Sequence, residues 1–112
     1  MKESAEARME RQKLERWQLI DVLRRAGNTV DEEVQFHPER KWRIDLVVNG
    51  TFAVEIEGRG RHQSFYGYSQ DIEKYNQVTI AGLRLLRVTR DMVANGEALE
   101  VLSQAGVKVE AT

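Results

Sequence analysis

The spacing of apolar and polar positions changes period several times along this chain, and each change marks an element. Residues 4 to 26 are rich in Ala, Glu, Arg, Gln and Leu and stop at Gly27-Asn28, which predicts one long helix. Leu14, Trp17, Ile20, Val22 and Leu23 form an apolar stripe in its second half. The first dozen residues are mostly charged and are expected to fray or project. Residues 33 to 36 read as a first strand, closed by Pro38. Two β-branched runs follow, residues 42 to 48 and 52 to 57, joined by Asn49-Gly50-Thr51. The stretch from Gly58 to Tyr68 carries glycines, arginines and aromatics and reads as a mobile surface loop. Ser69 is then a plausible N-cap, with Asp71 and Glu73 in the first turn, for a helix running to Gly82. That helix is expected to bury Ile72, Tyr75 or Asn76, Thr79 and Ile80. Residues 83 to 89 make a fourth strand, parallel to a neighbour because a helix precedes it. A turn at Asn95-Gly96 leads to a terminal helix at about residues 97 to 104, and residues 107 to 109 add a possible edge strand. The order α-β-β-β-α-β-α predicts an α/β (α+β) fold, a mixed sheet with helices on its faces.

Three carboxylates sit inside the central hairpin, where acids are depleted. Alternation places Phe52, Val54 and Ile56 on one face of the second run and Ala53, Glu55 and Glu57 on the other. In the first run Trp42, Ile44 and Leu46 share a face opposite Arg43 and Asp45. Whether Asp45 joins Glu55 and Glu57 depends on the parity of the turn. A two-residue Asn49-Gly50 loop would pair position 48 with 51 and turn Asp45 to the apolar side. A three-residue loop ending on Gly50 would pair 47 with 51 and 45 with 53, and the acids would converge. Convergent carboxylates repel unless a positive charge lies between them, and a hard divalent cation is the natural choice.

At 112 residues the chain is expected to be one domain, with a core at about residues 14 to 105. It contains no cysteine, so neither disulfides nor thiolate metal sites enter. No run approaches the roughly 18 apolar residues of a membrane span, and the start has no signal-peptide pattern, so a cytoplasmic protein without membrane contact is expected. A net charge of -1 does not announce a nucleic-acid binder. The charge is uneven, however. His37, Arg40, Lys41, Arg43, Arg59, Arg61 and His62 flank the acids, a distribution suited to a polyanion held beside a metal.

With its residues in this order the chain resembles the PD-(D/E)XK nuclease superfamily. That core is a helix, a three-stranded antiparallel meander, a crossover helix and a fourth strand, with an acid on the second strand and acid-x-lysine on the third. Asp45 matches the first acid and Glu55 the second, while Glu57 stands where the lysine should be. The runs FHPERKWRID (36 to 45), VEIEG (54 to 58), GRH (60 to 62), Asp71-x-x-Lys74-Tyr-Asn76 and Gly82-x-x-x-Leu-Arg-Val-Thr89 look like a branch of small phage and prophage nucleases. These are similar to very-short-patch-repair-like endonucleases, and the likeness covers about residues 33 to 100. The first helix also resembles the opening helix of archaeal Holliday-junction resolvases, which makes Glu15 a possible extra acid.

The resemblance implies a restriction-endonuclease-like core and a metal-dependent DNA endonuclease, of bacterial or phage origin, acting in DNA repair, recombination or phage DNA processing. It implies Mg²⁺ or Mn²⁺ bound by Asp45, Glu55 and the Ile56 carbonyl. For the missing lysine two replacements stand open: Lys74 from the crossover helix, or Glu57 as metal ligand or general base with His62 or Arg61 on the phosphate. Arg40, Lys41, Arg43, Arg59, Arg61 and His62 would then contact DNA, branched or duplex, and the small size suggests a homodimer. Loss of the usual lysine equally suits an inactive member of the fold that binds nucleic acid or protein. In an ordinary sheet, Asp45 and Glu55 would simply pair with Arg43 or Lys41. Trp17 and Trp42 are expected to be core aromatics.

Overall fold

The computed structural model describes residues 2–58 and 65–111, side chains excepted at 65 and 66. The first helix, α1, runs Ala5–Arg25. The Ser4 hydroxyl accepts from the Ala7 N–H at 3.0 Å to cap its start. Gly27 at φ +100° and the Asn28 N–H on the Leu23 carbonyl close its end. Four strands follow the chain as β1 (Val30–Gln35), β2 (Arg43–Val48), β3 (Phe52–Glu57) and β4 (Arg84–Thr89), with α2 (Phe65–Ile80) between the last two. Two short helices, α3 (Arg90–Asn95) and α4 (Glu97–Gln104), complete the order. The sheet order is β1-β2-β3-β4, antiparallel for the first three strands and parallel between β3 and β4. The fold is therefore α+β, a mixed sheet flanked by helices. No helix among the described residues is long and apolar enough to cross a membrane.

The two sheet faces bury different cores. Leu46, Val48, Phe52, Val54 and Val88 pack with Leu19, Ile20 and Leu23 of α1 and Ala98 and Leu102 of α4. Ile44, Val47 and Ala53 pack with Val78 of α2 in a smaller cluster. Ile44 and Leu46 thus lie on opposite faces, although simple alternation puts them on the same one. The β1–β2 register, Val30↔Val48 to Gln35↔Arg43, sets Glu33 opposite Asp45. Glu33 has φ +50°, left-handed backbone that a non-glycine residue adopts at a cost of about 1–2 kcal/mol. At this pair both strands change face: Val30 and Val48 lie on the α1 side, Val34 and Ile44 on the α2 side.

The hairpin connection is odd, as convergence of the acids requires, but its register differs by two residues from the one expected. Asn49 and Gly50 take φ of 55° and 65°, the pair of left-handed residues a type I′ turn demands. The Thr51 N–H donates to the Val48 carbonyl, yet Val48 pairs with Phe52, leaving Thr51 as an extra residue. The loop is therefore residues 49 to 51, and Leu46↔Val54 continued by one step puts Asp45 opposite Glu55, in place of Ala53.

Other expectations are also corrected. Leu14 and Trp17 are exposed, Trp17 at 59%, because the sheet-facing line of α1 is Gln12, Arg16, Leu19, Leu23 and Ala26 at i, i+4, i+7, i+11 and i+14. Trp42 is half-buried. The second helix begins at Phe65, so Ser69 is internal and no cap. Among its described side chains the buried ones are Asp71, Lys74 and Val78, whereas Ile72 and Ile80 face outward, Ile80 at 72% exposure. Residues 107 to 109 form no strand; Val107 closes the α1–α4 core instead, and the Asn28 amide donates to the Lys108 carbonyl.

These placements separate two variants that sequence pattern treats alike. Leu46→Ala should cost about 2–5 kcal/mol in urea denaturation. Trp17→Ala should stay within about 0.5 kcal/mol, as an exposed site does. A loss above 2 kcal/mol for Trp17→Ala would contradict the orientation of α1.

Candidate active site

The register just described brings the two acids of the hairpin face to face. The Asp45 N–H donates to Glu55 Oε1 at 3.1 Å, and the Ile56 N–H donates to Asp45 Oδ2 at 2.8 Å. Each carboxylate thereby accepts from the other strand's backbone, which fixes both rotamers. Glu55, 6% exposed, points toward α2, where Lys74, equally buried, donates from Nζ to Glu55 Oε2 at 2.9 Å. Lys74 sits one turn from Val78 on the buried side of α2, so the packing of that helix delivers the ammonium to the acid.

Asp45 receives its cation from the opposite face. Arg16 Nη1 lies 3.5 Å from Asp45 Oδ1, and its Nη2 donates to the Asp45 carbonyl at 3.1 Å and to Glu33 Oε1 at 2.9 Å. Nε of the same guanidinium is 3.8 Å from Glu32 Oε1. Arg16 thus ties α1 to the place where β1 and β2 change face. Neither acid pairs with Arg43 or Lys41, the partners an ordinary sheet would suggest.

Glu57 is placed apart from this exchange. Its Oε1 accepts from the Tyr75 hydroxyl at 2.9 Å and from Arg87 Nη2 at 2.6 Å, with Arg87 4.7 Å above the Tyr75 ring. Burial and the Glu57 carboxylate push the Tyr75 hydroxyl well above its ordinary value. Burial likewise pushes the Glu55 carboxyl up, although the Lys74 ammonium pulls against it; the Asp45 charge adds to the rise.

Asp45, Glu55, Ile56, Glu57 and Lys74 line one cleft of about 560 Å³, with Lys41, Arg43 and Arg90 at its walls. Lys41 and Arg43 are exposed there. Arg40 is engaged elsewhere, 3.9 Å over the Trp42 ring and ion-paired with Glu73. His37 Nδ1 accepts from the Glu39 and Arg40 N–H groups at 3.1 and 3.0 Å, holding the turn before β2. Arg59, Arg61 and His62 lie outside the described residues. A second, smaller cleft of about 260 Å³ reaches Asp45 and Ile56 from the α1 side, past Glu15, whose carboxylate pairs with Arg11 at 2.6 Å.

Among the described residues, no group of three or more Asp, Glu and His side chains is placed to hold a metal ion. The donor set present is the two carboxylates of Asp45 and Glu55, facing each other across the hairpin, with Ile56 lining the same cleft. Both carboxylates are hard oxygen ligands, and Mg²⁺ binds through one or two carboxylates while keeping several waters, so these residues fit such an ion. Arg16 is the main residue that sequence reasoning missed. Its signal was present in the spacing from Leu19, Leu23 and Ala26, and a stripe centred on Leu14 and Trp17 concealed it. No protein-family model, curated protein or solved structure matches the chain.

Two outcomes test the cluster. Lys74→Met leaves Glu55 buried without its cation and should cost about 3–5 kcal/mol. Adding Glu55→Gln should restore part of that loss, read as coupling in a double-mutant cycle. For pH, the unfolded chain ionises Glu55 first because the folded carboxyl is raised. Stability of the native protein relative to Glu55→Gln should therefore fall as pH rises from the ordinary value of 4.5 through the raised one. A difference that grows with pH in denaturation curves would contradict the dominance of burial.

Proposed function

We propose that this protein is a metal-dependent DNA endonuclease built on a restriction-endonuclease-like core. The observation that carries the reading is the cluster of Asp45, Glu55 and Lys74. Two acids on neighbouring strands meet at one point, and a buried lysine from the crossover helix reaches the second acid at 2.9 Å. An acid–acid–lysine set is what phosphodiester hydrolysis by this kind of centre needs, and Lys74 supplies the lysine that position 57 lacks. Glu57 Oε1 accepts from Tyr75 and Arg87, whereas Lys74 reaches the second acid directly, which favours Lys74 over Glu57 for that role.

Asp45, Glu55 and the Ile56 carbonyl would hold a Mg²⁺ or Mn²⁺ ion, which when bound supplies an acidified water and offsets charge on the phosphoryl oxygens. Lys74 Nζ has three N–H donors and spends one on Glu55 Oε2, so two remain to orient a water and to counter developing negative charge. Lys41 and Arg43 at the cleft wall would hold the phosphate backbone. Contacts of that kind recognise strand geometry more than base sequence.

One observation favours a second reading, an inactive member of the fold that binds nucleic acid. Lys74 pairs with Glu55, and Asp45 shares Arg16 with Glu32 and Glu33, so both acids already have a cationic partner from the protein itself.

Labelled duplex, single-stranded, flap and four-way-junction DNAs incubated with Mg²⁺ or Mn²⁺ separate the two. The endonuclease should cut at least one of them, and Asp45→Ala and Glu55→Ala should each lower the rate by on the order of 10²-fold or more. Glu57→Gln should change it much less than Lys74→Ala. Absence of cutting on every substrate, with DNA binding intact in Asp45→Ala, would establish the binding module instead.

A further inference from the structure

Arg90 is the residue the cluster does not use and the surrounding surface converges on. Residue 90 follows β4 directly, and the parallel register Glu57↔Thr89 continued one step sets it beside Gly58 at the end of β3. Its guanidinium lies against that glycine. A Cβ at Gly58 would meet Arg90 Cζ at 3.3 Å, a tight contact that the guanidinium must yield to by a few tenths of an ångström, with Nε at 3.4 Å and Nη1 at 3.5 Å close to ordinary contact. On its other side Nη1 donates to the Gln12 side-chain oxygen at 2.8 Å. Gln12 is one turn before Arg16 on the sheet-facing line of α1, so the same helix face that supplies the Asp45 partner positions Arg90.

The charge of Arg90 is left available. Arg11, Arg16, Arg25, Arg40 and Arg87 each pair with a carboxylate, but no carboxylate among the described residues pairs with Arg90, whose one side-chain partner is a neutral amide. The residue lines three adjoining clefts. One holds Asp45, Glu55 and Lys74; the second opens past Glu15 and Arg16; the third, of about 600 Å³, carries Arg8 and Arg11. A cation that is fixed in position, exposed, and paired only with an amide is suited to an anion, and a planar guanidinium to a phosphate.

We propose that Arg90 is a backbone-phosphate anchor for DNA, seated by Gly58 and Gln12, and that the bound strand continues from the Asp45–Glu55 centre across Arg90 toward Arg8 on α1. This rests on the nucleic-acid reading above but not on cleavage. It places the second half of the DNA contact surface on α1 and α3, across the centre from Lys41 and Arg43.

Binding of a short fluorescein-labelled duplex and its single strand, followed by anisotropy in EDTA over a salt series, tests the anchor. Arg90→Ala should weaken binding about tenfold at low salt, equally for unrelated sequences. It should also lower the slope of log K against log[salt] by about 0.9 on duplex and about 0.7 on single strand. Arg90→Gln should do the same, which removes misfolding as an explanation if either variant melts like the wild type. Gly58→Ala should act in the same direction by displacing the guanidinium, and should add nothing once Arg90 is Ala. Arg25→Ala, on the far end of α1 and paired with Asp21, should leave the slope unchanged. DNA binding with an unaltered slope in Arg90→Ala would overturn the anchor and leave the nuclease reading standing. A lowered slope in a protein that cuts nothing would uphold the anchor and remove the nuclease. No DNA binding by the wild type would remove both.

Discussion

The pair between Glu55 and Lys74 is the interaction on which the α2 side of this molecule depends. Among the described residues, the apolar cluster on that side holds Ile44, Val47, Ala53 and Val78 at full burial. Among the described side chains of α2, Val78, Lys74 and Asp71 are the buried ones, and two of those three are charged. A buried ion pair contributes little net stability, because desolvation offsets much of the Coulombic gain. What it provides is position: an ammonium at 2.9 Å from a carboxylate fixes the rotation of α2 on its axis. The outward turn of Ile72 and Ile80 follows from that choice.

On the other side of the sheet, backbone geometry plays the corresponding part. Glu33 in left-handed φ sits across from Asp45, and there β1 and β2 exchange the faces they present. The consequence is local and specific. Asp45 stands between Ile44, which looks toward α2, and Leu46, which looks toward α1, so its carboxylate is reachable from clefts on both sides. Strained residues of this sort persist where surrounding structure over-determines them. Arg16 is that surrounding structure, since one guanidinium contacts Glu32, Glu33 and both the side chain and carbonyl of Asp45.

Arg16 and Lys74 also bear on how a divalent cation would enter. Each ammonium or guanidinium relieves the repulsion between the paired carboxylates, and each would have to share its acid with a bound metal. Glu55 Oε1 and Asp45 Oδ2 are tied to backbone N–H groups, so the acids themselves are pre-positioned whichever cation they face.

The sequence by itself determined where the elements lie and which residue types meet. The helix stop at Gly27-Asn28, the acids of the hairpin, the lysine on the crossover helix and the parallel fourth strand were all legible, because propensity, capping and alternation act within an element or between adjacent ones. It also stated that an odd hairpin loop was needed for the acids to converge. Only the tertiary structure decided that Thr51 is the extra residue and that Asp45 therefore meets Glu55 and not Ala53. The reversal of faces at Glu33, the burial of Lys74 in preference to Ile72, the seating of Arg16 beside Asp45 and of Arg90 on Gly58 were likewise decided there. In each case the reason is the same. A periodic pattern names the possible faces of a helix or strand, but the face that is buried depends on the partner it meets, and charged groups that satisfy one another across elements leave no trace in local periodicity.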